Sequence, residues 1–250
     1  MITANHLQMR YPNGFLAVKN LNLQIEKGDI YGFLGPNGAG KTTTIRMLTG
    51  LLKPTGGTVR IDGVDPVMSP REVKRKVGVL PESHGFYYSM NAEQYLRYFA
   101  ELYGLGKEEG EERLQTLIER VGLKDKKKVP IGQYSRGMKQ RLGIAKTMVH
   151  SPEIIFLDEP TLGLDPIGQR DIYNLILDIN RDMNVTAFIT SHLLKDIEIL
   201  CNRICIVKQG ELLEEGSVKD LKESYGRIPG WEKATVEDIF FYLTDRREEV

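Results

Sequence analysis

The sequence predicts an α/β protein with a helical segment inserted into its middle, and three observations carry that reading. Short strand-like runs alternate with helical patterns in the first and last thirds of the chain. A glycine-rich loop, GPNGAGKTT, stands between an apolar run and a helical pattern. From about residue 84 to 150 the strand signal disappears and helical periodicity replaces it. The 250 residues are enough to bury a sizeable core.

The first third opens with HLQMRY, AVKNLNLQIEKGDI and YGFLG, short strands turning at Asn13-Gly14 and Lys27-Gly28. TTTIRMLTGLL reads as a helix stopped by Pro54 and Gly56-Gly57. GTVRIDG alternates as a strand, and the short apolar run VGVLPE reads as a buried one. In the insertion, NAEQYLRYFAELYG has Asn91 at an N-cap and Gln94 at capping-box spacing. Its Tyr95, Leu96, Phe99, Leu102 and Tyr103 fall on one face. EERLQTLIERVGL repeats the pattern through Leu114, Leu117, Ile118 and Val121 and stops at Gly122. The basic stretch KDKKKVP reads as a solvated turn. The next helix starts at YSRGMKQR and runs to about His150. In the last third, EIIFLDEP is an apolar strand ending in acids, and Asp165 and Pro166 read as N-cap and N1 of a helix. VTAFITSH is a strand and RICIVKQGELLEEG a hairpin turning at Gln209-Gly210. Beyond about Leu221 the pattern is mixed, and no internal repeat is present.

The chemistry begins at the glycine-rich loop. Gly35, Gly40, Lys41 and Thr42 satisfy G-x-x-x-x-G-K-[ST] in a strand–loop–helix setting. Phosphate oxygens need several donors converging on one point, and backbone N–H groups supply them only when the loop wraps tightly. The helix start adds partial positive charge, Lys41 a full one, and the Thr42 hydroxyl is a ligand for Mg²⁺. In EIIFLDEP, Asp158 and Glu159 stand at the C-terminal end of a buried strand. Successive strand residues point opposite ways, so the two acids take different tasks: Asp158 toward Mg²⁺, Glu159 as the base that polarises an attacking water. No N-K-x-D guanine reader is present, which favours ATP over GTP. The stretch YSRGMKQR is a second element of phosphate-seeking type, a serine and a glycine at the start of a helix carrying basic residues.

Composition excludes several classes. Lys plus Arg and Asp plus Glu number 34 each, which argues against a nucleic-acid partner. Cys201 and Cys205 have no second pair or nearby histidine to complete a metal site and read as reduced, buried thiols. The N-terminus has no apolar signal core, and no run approaches the ~18 apolar residues of a membrane span. The expectation is a soluble chain whose membrane work, if any, needs another polypeptide to span.

In the order of its motifs the chain resembles the ATP-binding-cassette (ABC) ATPase domain over essentially residues 1 to 220. GPNGAGKTT matches the Walker A loop, IIFLDEP the Walker B strand, and LGLD (Leu162 to Asp165) the D-loop. TSH ends in His192 at the place of the switch histidine. Tyr11 stands where the family stacks an aromatic ring on adenine, and LPES puts Glu82 at the Q-loop position. YSRGM occupies the place of the signature motif. The resemblance implies a P-loop NTPase core of ABC type, with an N-terminal antiparallel β-subdomain, an inserted α-helical subdomain at about 84–150 and a short C-terminal extension, 221–250.

The resemblance also implies a function. Two cassettes pack head to tail, as a homodimer or with a different cassette. Each ATP lies between the Walker A loop of one copy (Gly35, Pro36, Asn37, Gly38, Ala39, Gly40, Lys41, Thr42, Thr43) and the signature helix of the other (Ser135, Gly137). Mg²⁺ would be held by Thr42, Asp158 and Glu82, and Glu159 and His192 would be catalytic. Two departures from the family stand out. The commonest signature, Leu-Ser-Gly-Gly-Gln, is here Tyr134-Ser135-Arg136-Gly137-Met138, and the Q-loop glutamine is Glu82. Arg136 is expected to point outward or to add charge near the phosphates. Both departures, and the tail TVEDIFFYLTD, resemble cassettes that are separate subunits of ABC-2 type exporters. That points to an ATPase at the cytoplasmic face of the cell membrane, held there peripherally by a permease subunit. Phe86, Tyr87 and Tyr88, read as exposed, are candidates for gripping that subunit or for internal packing. The alternatives are a soluble cassette acting on ribosomes or DNA, whose relatives carry two cassettes or a long coil in one chain, and a nucleotide-gated subunit without turnover.

Overall fold

The computed structural model describes residues 1–83 and 85–245. His84, in the stretch expected to grip a partner, and the last five residues of the C-terminal extension lie outside the described residues. The elements follow the chain as β1 (Ile2–Arg10), β2 (Leu16–Ile25), β3 (Ile30–Leu34), α1 (Lys41–Leu48), β4 (Gly56–Ile61), α2 (Pro70–Lys76) and β5 (Val77–Leu80). Then come α3 (Ala92–Leu102), α4 (Lys107–Arg120), α5 (Arg136–Met148), β6 (Ile154–Asp158) and α6 (Pro166–Met183). The chain closes with β7 (Thr186–Ser191), α7 (Leu194–Leu200), β8 (Arg203–Lys208), β9 (Glu211–Ser217), α8 (Val218–Tyr225) and α9 (Val236–Asp245). It divides into two compact units: Met1–Val73 with Thr186–Val250, and Lys74–Val185.

In the first unit, β2, β1 and β4 form an antiparallel sheet, with Ile2 opposite both Ile25 and Ile61. Alternation buries Ile2, Ala4, Leu7 and Met9 on one face, and the register shifts where His6 adopts φ 49. A second set of strands runs β7, β3, β8 in parallel, with β9 antiparallel at the edge. The β8–β9 turn has Gln209 and Gly210 both at positive φ, 51 and 78, which matches the right-handed twist of a hairpin. Tyr31 and Phe33 of β3 pack on Phe188 of β7 at ring separations of 5.9 and 5.4 Å. Each such buried side chain contributes roughly 2 kcal/mol.

The tail that read as mixed is folded. Ser217 caps α8 by accepting from the Asp220 N–H at 3.0 Å. Lys222 of α8 pairs with Glu198 of α7 at 2.6 Å. Trp231 and Tyr225 close on Tyr242 of α9, and Lys208 Nζ donates to the Thr244 carbonyl near that helix's C-terminus.

In the second unit, β5 and β6 run parallel, and all five residues of β6 are buried, which explains its unbroken apolar sequence. Asn91 and Gln94 form the expected capping box on α3, and Asp165 caps α6 with Pro166 at N1. Leu114, Leu117, Ile118 and Val121 are buried as their spacing required. Two expectations are corrected. Leu102 is 62 % exposed, because it sits in the last turn of α3, whose buried face is made by Ala92, Tyr95, Leu96 and Ala100. Phe86 is buried against Tyr95 at 5.3 Å, and only Tyr87 and Tyr88 of that aromatic run are exposed. The basic stretch after Gly122 is also more ordered than a solvated turn. Lys127 pairs with Glu93 at 2.8 Å, and this bond holds the Glu93 carboxyl below its usual range.

Candidate nucleotide site

The phosphate loop leaves β3 at Leu34 and enters α1 at Lys41. Pro36, Asn37 and Gly38 are exposed at its tip. Gly40 is doubly constrained. It has φ 99, and a Cβ there would lie 2.6 Å from the Ala17 carbonyl oxygen of β2. The β8–β9 turn braces the loop: the Gly210 N–H donates to the Ala39 carbonyl at 3.2 Å, while the Lys19 N–H donates to Gly210 at 2.9 Å. Lys41 is buried, and its ammonium donates to the Gly35 carbonyl at 2.7 Å and the Pro36 carbonyl at 3.4 Å. A full positive charge is therefore held on the loop itself, at a helix start. A polyphosphate fits this construction, since it needs a tight backbone curve with converging positive potential.

The other expected residues of this unit gather around the loop. The Tyr11 hydroxyl lies 3.1 Å from Thr43 Oγ1, so the ring expected to meet adenine is tied to the first turn of α1. The turn carrying Tyr11 is closed by its own N–H donating to Phe15, whose ring is exposed. Leu34 pairs in register with Ser191, so Gly35 and His192 leave neighbouring parallel strands side by side. His192 is exposed, while Ser191 is buried and accepts from the Leu193 N–H at 3.0 Å.

The second unit brings together the acids. Leu80 pairs in register with Leu157, so the segment carrying Glu82 and the pair Asp158–Glu159 leave adjacent strands at the same end. Asp158 and Glu159 are buried, Glu82 is exposed, and Glu159 is held at φ 52, a left-handed conformation rare for its type. Among the described residues no cluster of three or more His, Cys, Asp or Glu could hold a metal by itself. The carboxylates present are of the kind that take up Mg²⁺, one or two at a time together with substrate phosphates.

The signature stretch is also preformed. Tyr134 is buried with its hydroxyl donating to the Lys126 carbonyl at 2.8 Å, and burial pushes its phenol up. Ser135 caps α5, accepting the Met138 N–H at 3.2 Å, and remains exposed. Gly137 lies one residue beyond Arg136 in the first turn. At its other end the helix is anchored to β5. Lys146 Nζ donates to the Val79 carbonyl at 3.1 Å, and His150 Nε2 lies 3.0 Å from the Val77 carbonyl with its ring stacked on Tyr103. Sequence reasoning missed these two anchors. Their signal was a lysine and a histidine four apart, at the apolar spacing of α5.

The family model described as ABC transporter matches residues 18–162. The bacitracin transport ATP-binding protein BcrA of Bacillus licheniformis is 45% identical over 207 residues, 83% of this chain and 67% of its own length. The ABC transporter ATP-binding protein NatA of Bacillus subtilis is 39% identical over 209 residues, 83% of this chain and 85% of its own. The solved dimer of the ATP-binding cassette MJ0796, a post-hydrolysis state bound to ADP and Pi, superposes with a TM-score of 0.78 at 25% identity, covering 87% of this chain and 98% of that one. This chain belongs to the ABC transporter family, and it is an ATP-binding, ATP-hydrolysing subunit of a membrane transporter.

Proposed function

We propose that this chain is the ATPase of an ABC-2 type exporter, held peripherally at the cytoplasmic face of the membrane by a separate permease. Closure of two identical cassettes on ATP would drive it. One observation carries the reading: a single chain holds two phosphate-seeking elements, a lysine-bearing loop and a serine-capped helix start. One nucleotide needs only one of them from each copy. ATP then contributes charge-assisted contacts to both copies, and loss of the γ-phosphate removes the contacts that keep them shut. Among the described residues no helix is long and apolar enough to cross a membrane, which fits a spanning partner. The Glu82 and Met138 departures, and the name of BcrA as a bacitracin transport protein, favour an exporter.

In this reading Tyr11 faces adenine. Lys41 and the backbone from Gly35 to Thr43 hold the phosphates, and Ser135 and Gly137 meet the γ-phosphate of the opposite copy. Thr42, Asp158 and Glu82 would hold Mg²⁺, which when bound neutralises charge on the outer phosphates. Glu159 takes the proton of the attacking water, and His192 steadies the terminal phosphate. Residues 84–150 serve as the helical subdomain within an ABC domain of residues 1–220, with 221–250 an extension. Tyr87 and Tyr88, the exposed members of the aromatic run, are the ones available to a permease.

The test is Glu159→Gln. The variant is expected to bind ATP and to accumulate as an ATP-dependent dimer on size exclusion, with hydrolysis reduced on the order of 100-fold. Near-normal hydrolysis would remove Glu159 from its role. Purification of the tagged chain from membranes should bring down a spanning subunit, and its absence would count against the transporter assembly proposed.

A further inference from the structure

We propose that Arg136 and Gly163 form a positioning pair that fastens the signature helix to the D-loop within one chain, so that the partner cassette meets both as a single edge. The proposal rests on the dimer reading above. Arg136 is the signature residue that replaces the usual glycine, and Gly163 is the second residue of LGLD. Gly163 has φ +69, and a Cβ built on it would fall inside the Arg136 guanidinium, 2.5 Å from Nη1 and 2.7 Å from Nη2. The central carbon Cζ is nearer still. That order of distances means the flat face of the cation, not its edge, covers the glycine. The contact therefore uses the face and leaves the in-plane N–H donors unspent.

The surroundings make this contact a link between two rigid pieces. A cavity of about 320 Å³ has Ser135, Arg136 and Gly137 on one wall and Gly163, Leu164 and Asp165 on another. The first wall is fixed by the Ser135 cap. The second is fixed by Asp165, whose Oδ1 accepts the Gly168 N–H at 2.8 Å. Between these capped helix starts the D-loop has a glycine in a left-handed conformation, the most deformable kind of hinge. The guanidinium lies on that hinge. A glycine at 136 has nothing to place there, and a lysine has no planar face.

The experiment is a double-mutant cycle in the Glu159→Gln background, with ATP-dependent dimerisation measured by analytical ultracentrifugation. Gly163→Ala displaces the Arg136 guanidinium, the movable end of a flexible side chain, and is expected to cost more dimer affinity with Arg136 present than without it, the excess being the lost cover. In the Arg136→Gly background the same change should cost about threefold or less, the residue of backbone strain alone. Arg136→Lys should behave like Arg136→Gly in the cycle. ATP affinity of the monomers should stay within about twofold throughout, separating positioning from general damage. Equal cost of Gly163→Ala in both backgrounds overturns the pair, as does full coupling retained by lysine. If the Glu159→Gln parent itself fails to dimerise with ATP, the dimer reading falls instead. The cycle is then read on monomer thermal unfolding, where additivity also overturns the contact.

Discussion

In the proposed reading the chain meets phosphate with two constructions of opposite kind. The loop from Gly35 to Thr43 is a backbone device: Gly40 is shaped by the closeness of Ala17, the β8–β9 turn braces the loop, and a buried lysine carries the charge. The start of α5 is a side-chain device, an exposed serine capping a helix whose far end is pinned to β5 by Lys146 and His150. In the proposed reading the first holds donors, curvature and charge together and binds nucleotide from within one chain. The second is rigid but offers only one wall. A self-sufficient site and a dependent one should fail differently, and that difference can be measured.

The largest effect should come from Lys41→Ala, which removes the full positive charge carried by the loop. ATP turnover is expected to fall by about 100-fold or more with the fold retained, read by phosphate release. Next is Gly40→Ala, where a Cβ meets the Ala17 carbonyl at positive φ. A stability loss of about 2 kcal/mol is expected in thermal unfolding, and a neutral result would show that the loop tolerates another shape. Ser135→Ala should cost about 1 kcal/mol through loss of the cap. It should abolish ATP-driven dimerisation while the monomer still binds nucleotide; if monomer binding falls too, the two constructions are not separable. The smallest effect concerns the anchor of α5. Burial holds the His150 imidazole below its ordinary value of 6.5, so the unfolded chain takes up a proton that the folded chain resists. Stability from this residue is complete above about pH 6.5 and is lost as the pH falls toward the folded value. His150→Gln should flatten that part of the stability–pH curve, and an unchanged slope would assign it to other groups.

The shape of the phosphate loop was legible in the sequence because its rules are local: a glycine forced by φ and a lysine one residue later belong to one short stretch. In the other unit, Asp158 is marked by the apolar strand it ends. The dependent site was legible only in part. Ser135 and Asp165 announce themselves as caps, but the cover that Arg136 provides over Gly163 joins residues far apart in the chain, and no periodicity encodes it. The same limit explains Phe86. Its neighbours Tyr87 and Tyr88 are exposed, while the first ring of the run turns inward against Tyr95, a contact made across the fold that no local spacing announces. The C-terminal helices were obscure because α8 is short and the tail is held by aromatic contacts among Tyr225, Trp231 and Tyr242 together with a few scattered buried side chains, Leu221, Val236 and Ile239.

Cys201 and Cys205 are both free and buried, and burial pushes both thiols well above their ordinary range. The native protein is therefore a silent background for maleimide chemistry. A single cysteine introduced at an exposed position such as Tyr88 would take up a fluorophore selectively, and the approach and separation of two cassettes could be followed in real time on otherwise unaltered chains.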